Sequence, residues 1–223
     1  MVIQLHYEEK GTGFPLILLH GNGEDLTYFR HQMEYFSKSY RVVAIDTRGH
    51  GKSPRGTADF TISQFAEDLR AFLDAHDIKK AHILGFSDGG NIALTFALRY
   101  PGYIHRLILN GANLYPSGMK FPVRLPVILE YYLTRFRRQT AKHERMALMV
   151  EEPNIQPDEL HQLTMPTLVI AGTRDMIKDS HTRLMAKHLP QGELVLLEGD
   201  HFIANKEPAA FNQAVAAFLE KGN

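Results

Sequence analysis

Short runs rich in Ile, Val and Leu recur along this chain, each followed by a longer stretch with apolar residues at helical spacing. A strand that is apolar on consecutive residues must be covered on both faces, and the amphipathic segments between the runs are long enough to be the covering crossovers. Pro15–Leu19, Arg41–Ile45, Ala81–Leu84, Ile104–Leu109, Thr167–Ala171 and Glu193–Leu197 read as strands, and the alternating stretch Val2–Tyr7 reads as an edge strand. Leu26–Ser37, Ile62–His76, Gly89–Tyr100, Ser180–Leu189 and Pro208–Glu220 read as helices, the last opening with proline at a first-turn position. Strand then helix, repeated, predicts an α/β fold: a mostly parallel central sheet with helices on both faces.

The alternation breaks once, over Asn113–Leu163, where Pro126–Glu151 has the spacing of one or two helices and no strand pattern occurs. This segment reads as an insertion into a single domain spanning residues 1–223, a length suited to one core. Within it Val127, Ile128, Tyr131, Leu133 and Phe136 would form an apolar face. Arg135, Arg137, Arg138, Lys142 and Arg145 make the middle locally basic, as a solvated helix face or an anion-binding one. Pro153 and Pro157 punctuate its end, and Asp158 is placed to cap the short helix that follows.

Charge and composition narrow the function classes. Lys+Arg and Asp+Glu are both 25, so no overall field recruits nucleic acid or an anionic membrane, and a small-molecule partner is expected. Absence of cysteine excludes disulfides, thiolate metal sites and a cysteine nucleophile. No run approaches the ~18 apolar residues of a membrane span, and MVIQLHYEEKGTG lacks a signal-peptide pattern, so a cytoplasmic location is expected.

The chemistry-bearing stretch is Gly85-Phe86-Ser87-Asp88-Gly89, a G-x-S-x-G placed after a strand and before a helix. Such a turn holds the serine in a strained conformation and needs small neighbours where strand and helix cross. A serine hydroxyl is a weak nucleophile until a base takes its proton, and that base needs an orienting acid. Asp175 follows the strand ending in Ala171, and His201 follows the next strand. Ser87, Asp175 and His201 are therefore the expected catalytic residues, with Asp179 and Asp200 as rivals for the acid; Asp179 more naturally caps the next helix. An oxyanion also needs two backbone donors. The glycine-rich loop His20-Gly21-Asn22-Gly23 and the residue after the nucleophile supply them as the N–H groups of Asn22 and Asp88, with His20 organising the loop. Asp46-Thr47-Arg48-Gly49-His50-Gly51-Lys52-Ser53 lacks a phosphate-loop pattern and reads as a hydrogen-bonded turn. Phe86, Phe121, Tyr131, Tyr132 and Phe202 are candidates for an apolar substrate pocket, or for core. The Asp88 carboxylate either shapes the turn or receives a substrate ammonium.

With HGNG, DTRGHGKS, GFSDGG, GTRD and GDHF in this order, the chain resembles the α/β-hydrolase superfamily over essentially its whole length apart from the insertion. The elbow is similar to that of the biphenyl-hydrolase-like and valacyclovir-hydrolase-like branch. The resemblance implies that residues 113–163 form a short helical cap over the site and that no metal or organic cofactor is needed. Ser87 stands where epoxide hydrolases and haloalkane dehalogenases carry a nucleophilic aspartate, and Asn110 occupies a strand end where some relatives place their acid. The expected activity is hydrolysis of a small carboxylic ester, thioester, lactone or aminoacyl ester through an acyl-enzyme. A carbon–carbon bond hydrolase of the same fold, or a slow-turnover small-molecule sensor, is the alternative.

Overall fold

A computed structural model describes residues 3–221. The strands are β1 (Tyr7–Lys10), β2 (Pro15–Leu19), β3 (Arg41–Ile45), β4 (Ala81–Phe86), β5 (Ile104–Asn110), β6 (Thr167–Gly172) and β7 (Gly192–Leu197). They form one sheet in the order β1-β3-β2-β4-β5-β6-β7, in which only the β1–β3 pair is antiparallel. The helices are α1 (Arg30–Phe36), α2 (Ile62–Ala75), α3 (Asp88–Arg99), α4 (Phe121–Phe136), α5 (Thr140–Val150), α6 (Asp179–His188), α7 (Ile203–Lys206) and α8 (Pro208–Leu219).

Why the strands are apolar on consecutive residues is visible in the two cores. Successive side chains of a strand point to opposite faces. Ile17, Leu19, Val43, Ile45, Ile83 and Leu107 enter the core beneath α2 and α3, beside Phe65, Leu69, Ile92 and Phe96. Leu16, Leu18, Val42, Ala44, Leu84 and Ile108 enter the opposite core with Phe36 of α1 and Phe211, Val215 and Phe218 of α8. At roughly 1.5–3 kcal/mol for each fully buried large apolar side chain, both faces contribute to holding the central strands rigid. That rigidity fixes the carboxyl edge of the sheet.

The first strand departs from the sequence expectation. It runs over Tyr7–Lys10 rather than Val2–Tyr7, of which Val2 lies outside the described residues. Before Tyr7 the backbone bonds to the turn after β3: His6 N–H donates to Ser53 Oγ at 2.8 Å, and Asp46 N–H donates to His6 O at 2.9 Å. The expected helix Leu26–Ser37 opens as a 3₁₀ turn over Leu26–Phe29 before α1 begins.

Between β5 and β6 lies the insertion, whose helical content is α4, α5 and short 3₁₀ turns at Pro116–Gly118 and Pro157–Gln162. Its main helix starts at Phe121, with Pro122 in its first turn and Pro126 inside it. Pro126 has no N–H for the Pro122 carbonyl, and both residues sit on the exposed side. The turn at residues 157–162 is closed by Glu159, whose carboxylate accepts from Gln156 N–H at 2.7 Å, and not by Asp158. Asp179 likewise does not cap α6: its carboxylate pairs with Arg183 at 2.8 Å and Lys178 occupies the N-cap position. Several contacts tie the insertion to the loops and helix starts at the sheet edge: Arg145 O accepts from Asn22 Nδ2 at 2.7 Å, Glu144 pairs with Arg55 at 2.6 Å, Glu152 accepts from Ile62 N–H at 2.7 Å, and Lys120 N–H donates to Met176 O at 2.9 Å. These contacts seat the insertion against the loops at the carboxyl edge, where the expected cap would lie.

Candidate active site

Ser87 sits between β4 and α3 at φ 52° and ψ −119°, a left-handed conformation that costs a non-glycine residue free energy. Two close approaches make the turn possible. A Cβ on Gly85 would lie 2.2 Å from Gly89 O, and one on Gly89 would lie 2.0 Å from Leu19 O. Ser87 N–H donates to Asn110 O at 2.8 Å, which pins the elbow to the end of β5. The hydroxyl therefore stands at the strand ends, at the N-terminus of α3, where backbone N–H groups favour negative charge.

His201, in the loop after β7, and Asp175, in the loop after β6, meet it there. Ser87 Oγ lies 3.1 Å from His201 Nε2, and His201 Nδ1 lies 2.7 Å from Asp175 Oδ1. The network assigns the Nδ1–H tautomer, donating to the carboxylate and leaving Nε2 as acceptor for the serine proton. Asp175 Oδ1 also accepts from Ile177 N–H at 2.8 Å, so the acid is held on two sides. Its rivals are occupied elsewhere: Asp200 accepts from Phe202 N–H at 2.9 Å and pairs with Lys206, while Asp179 pairs with Arg183. The imidazole packs against the Phe86 ring at 4.8 Å, and Phe86 in turn stacks on Tyr28 at 4.3 Å.

Neither Asn22 N–H nor Asp88 N–H has a protein acceptor among the described residues, the state required of donors kept for a ligand. His20 organises their loop. Its Nδ1–H donates to Gly21 O at 2.7 Å and its Nε2 accepts from Thr47 N–H at 3.0 Å; burial holds its pKa low, so the ring stays neutral. The 46–53 stretch is the expected hydrogen-bonded turn, with Asp46 accepting from Leu26 and Lys52 N–H groups, each at 2.8 Å.

Asp88 is buried and has no cationic partner among the described residues. Its Oδ1 accepts from Asn91 Nδ2 at 3.2 Å, while Oδ2 has no partner. Burial pushes its carboxyl up to about 6, opposed by the Asn91 amide and by the nearby Asn22 amide, whose own hydrogen bond goes to Arg145 O.

Sequence reasoning missed two residues here. Glu24 accepts from Gly21 N–H at 3.2 Å, and burial pushes it up to about 7, opposed by that N–H and by His201. Gly111, at φ 62°, leaves room for the imidazole: a Cβ there would lie 2.7 Å from His201 Cε1. The Asn-Gly pair at the end of β5 is a turn signal that would have drawn attention to it.

Of the aromatics expected around the substrate, Phe86 is only 1% exposed and serves as support for His201. Phe202 lies 5.7 Å from Phe86 and is partly exposed. Tyr131 and Tyr132 belong to α4; Tyr131 packs on His143 within the cap, while Tyr132 and Phe121 face outward at 61% and 66% exposure. The structure thus does not gather these rings into one pocket. A separate trio, Asp158, His161 and His188, brings potential metal-binding atoms within 4.8 Å of one another. The carboxylate is 3.9 Å from each imidazole and Asp158 is 90% exposed, wider and looser than the about 3.3 Å donor spacing that tetrahedral zinc imposes.

In sequence and fold the chain is similar to known proteins. The family model described as alpha/beta hydrolase fold matches residues 15–149. The human protein "Serine hydrolase BPHL" is 31% identical over 98% of this chain and 84% of its own length. The "3-oxoadipate enol-lactonase 2" of Acinetobacter baylyi is 27% identical over 99% of this chain and 95% of its own. The crystal structure of a thermophilic esterase from Thermogutta terrifontis superposes with a TM-score of 0.83 at 26% identity, covering 98% of this chain and 94% of that one. With the sheet order, the strand-end cluster and these matches together, the chain belongs to the alpha/beta hydrolase fold family and is a hydrolase of that fold.

Proposed function

We propose that the protein cleaves small carboxylic esters, lactones among them, through an acyl-enzyme on Ser87. His201 Nε2 takes the Ser87 proton as Oγ attacks the carbonyl carbon, and Asp175 stabilises the resulting imidazolium. The carbonyl oxygen, now negative, is held by Asn22 and Asp88 N–H. Collapse of the adduct breaks the acyl–oxygen bond, and His201 gives its proton to the leaving alcohol. Water then repeats the sequence on the acyl-enzyme and frees Ser87.

The observation that carries this reading is the unbroken chain Asp175–His201–Ser87, at 2.7 and 3.1 Å, ending on a serine at positive φ. Relatives named as a lactonase and an esterase are in keeping with acyl–oxygen cleavage, and the carbon–carbon alternative is separated from it by the substrate panel below. Turnover of short p-nitrophenyl esters and of simple lactones tests it. Ser87→Ala is expected to abolish turnover and labelling by a fluorophosphonate probe; a variant that keeps the wild-type rate removes Ser87 from the mechanism.

Asp88 supports a narrower reading, in which the substrate carries an ammonium group next to the scissile carbonyl. A buried carboxyl with one unpartnered oxygen and no cation nearby is a site such a group would neutralise. Asp88→Asn is then expected to lower kcat/KM on α-amino esters far more than on matched neutral esters. Equal losses on both would leave Asp88 with its backbone role alone.

A further inference from the structure

The principal cap helix is turned the wrong way for an isolated soluble protein. At 100° per residue, Phe121, Tyr132, Leu125, Phe136, Leu129 and Leu133 of α4 fall within an arc of about 120°. All face out: Phe136 is 86% exposed, Phe121 66%, Leu129 62%, Tyr132 61%, Leu125 40% and Leu133 38%. Six of the nine large apolar side chains exposed among the described residues are on this helix, so the exposure is a patch and not scatter. The buried side of α4, with Tyr131 and Thr134, is satisfied within the cap: Tyr131 packs on His143 of α5, and Thr134 Oγ1 donates to Tyr131 O.

The rim of the patch is basic. Arg124 and Arg135 lie along one flank of the arc, beside Phe121 and Tyr132, and Arg137 and Arg138 follow the helix end. None of these arginines has a carboxylate partner among the described residues, whereas the nearby acids are engaged: Glu130 with Lys142, Glu144 with Arg55 and Glu151 with Tyr131. Overall neutrality hides this local charge.

We propose that the exposed face of α4 docks on an anionic lipid bilayer, the helix lying in the interface with its apolar side in the acyl boundary and its arginines among the headgroups. Charge selects this occupant over a second copy of the chain. A twofold pairing of α4 with itself, centred near Leu129, would set Arg124 of one copy against Arg135 of the other, whereas an anionic surface neutralises both. The attachment is peripheral, since no helix among the described residues is long and apolar enough to cross a membrane. It is separate from the chemistry at Ser87: among the described residues no hydrogen bond, ion pair or ring contact joins a patch residue to Ser87, His201 or Asp175.

The test is flotation of the whole protein with vesicles of phosphatidylcholine alone or mixed with phosphatidylglycerol, at low and high salt. Binding is expected only to the phosphatidylglycerol vesicles and is expected to weaken with salt. The variants Leu129→Ser/Phe136→Ser and Arg135→Gln/Arg137→Gln should each reduce it by about tenfold or more, keeping the thermal midpoint and the ester-hydrolysis rate in solution. No binding to the mixed vesicles overturns the proposal. So does binding that neither variant alters, or a dimer by light scattering that Leu129→Ser/Phe136→Ser dissociates without any vesicle binding by the wild type.

Discussion

Replacing Gly89 by alanine sets two physical effects against each other. As the second residue of α3, Gly89 lies where helix propensity alone favours alanine by about 1 kcal/mol or less. The added Cβ, however, would fall 2.0 Å from Leu19 O and 2.5 Å from His20 O, where real Cβ contacts under 3.0 Å essentially do not occur. Both obstacles are backbone at the end of β2, which pairs with β4 through Leu19 and Gly85, so neither moves by rotating a side chain. Relief needs a separation of about 1 Å between the elbow and the loop that carries Asn22, and overpacking of this kind costs roughly 1–3 kcal/mol or more. With two backbone obstacles the cost is taken at the top of that range, about 3 kcal/mol; less the propensity gain of about 1 kcal/mol, the net is a loss of about 2 kcal/mol, and at about 2–4 °C per kcal/mol for a chain of this size the midpoint falls by roughly 4–8 °C. The same displacement moves Ser87 relative to the loop donors, and a shift near 1 Å costs on the order of 10²-fold in rate. Calorimetry with p-nitrophenyl acetate turnover measures both, and Gly102→Ala, whose Cβ meets nothing within 4 Å, is the control. A Gly89→Ala protein with an unchanged or higher midpoint and the wild-type rate would refute the close-approach argument.

Three further outcomes are expected. Arg48 and Asp68 form a buried bidentate pair with both contacts at 2.6 Å, so Asp68→Ala, which strands the guanidinium, should cost about 3–5 kcal/mol in urea unfolding, while Arg48→Met/Asp68→Leu should cost much less. Glu24 has a raised folded-state pKa, about 7 against an ordinary 4.5, so the folded state holds more protons than the unfolded one across that window and stability declines as pH rises through it. Glu24→Gln should make the urea midpoint less steeply dependent on pH between those values and remove a titration step near pH 7 from the rate profile; an unchanged slope would mean that Glu24 is solvated. Gly111→Ala should lower kcat on the order of 10²-fold by pushing the His201 ring, with little change in KM, and a normal kcat would show that the imidazole has room to spare.

Local periodicity made the sheet legible. The strands β2 and β3 begin and end at the residues expected from sequence, and β4, β5, β6 and β7 differ by no more than two residues at an end, because burial on both faces writes itself into consecutive apolar positions. Turn chemistry made the elbow legible in the same way, since Gly85 and Gly89 are adjacent to the serine whose backbone they permit. The first strand was misplaced because the turn after β3, far along the chain, captures the backbone of residue 6. The expected apolar face of Val127, Ile128, Tyr131, Leu133 and Phe136 is split by the structure, with Tyr131 buried and Leu133 and Phe136 exposed, because apolar residues lie on several sides of α4 and spacing did not show which side is covered. Chain order pointed to Asp175, and what sets it apart from Asp179 and Asp200 is through-space distance: His201 Nδ1 lies 2.7 Å from Asp175 Oδ1, while Lys206 engages Asp200 and Arg183 engages Asp179. The fold class and the serine follow from interactions between neighbours in sequence. The nearness of Asp175 to His201, the upward push on the Glu24 and Asp88 carboxyls, the space left by Gly111 and the direction of α4 follow from desolvation and contact between residues far apart in the chain, which only the folded chain brings together.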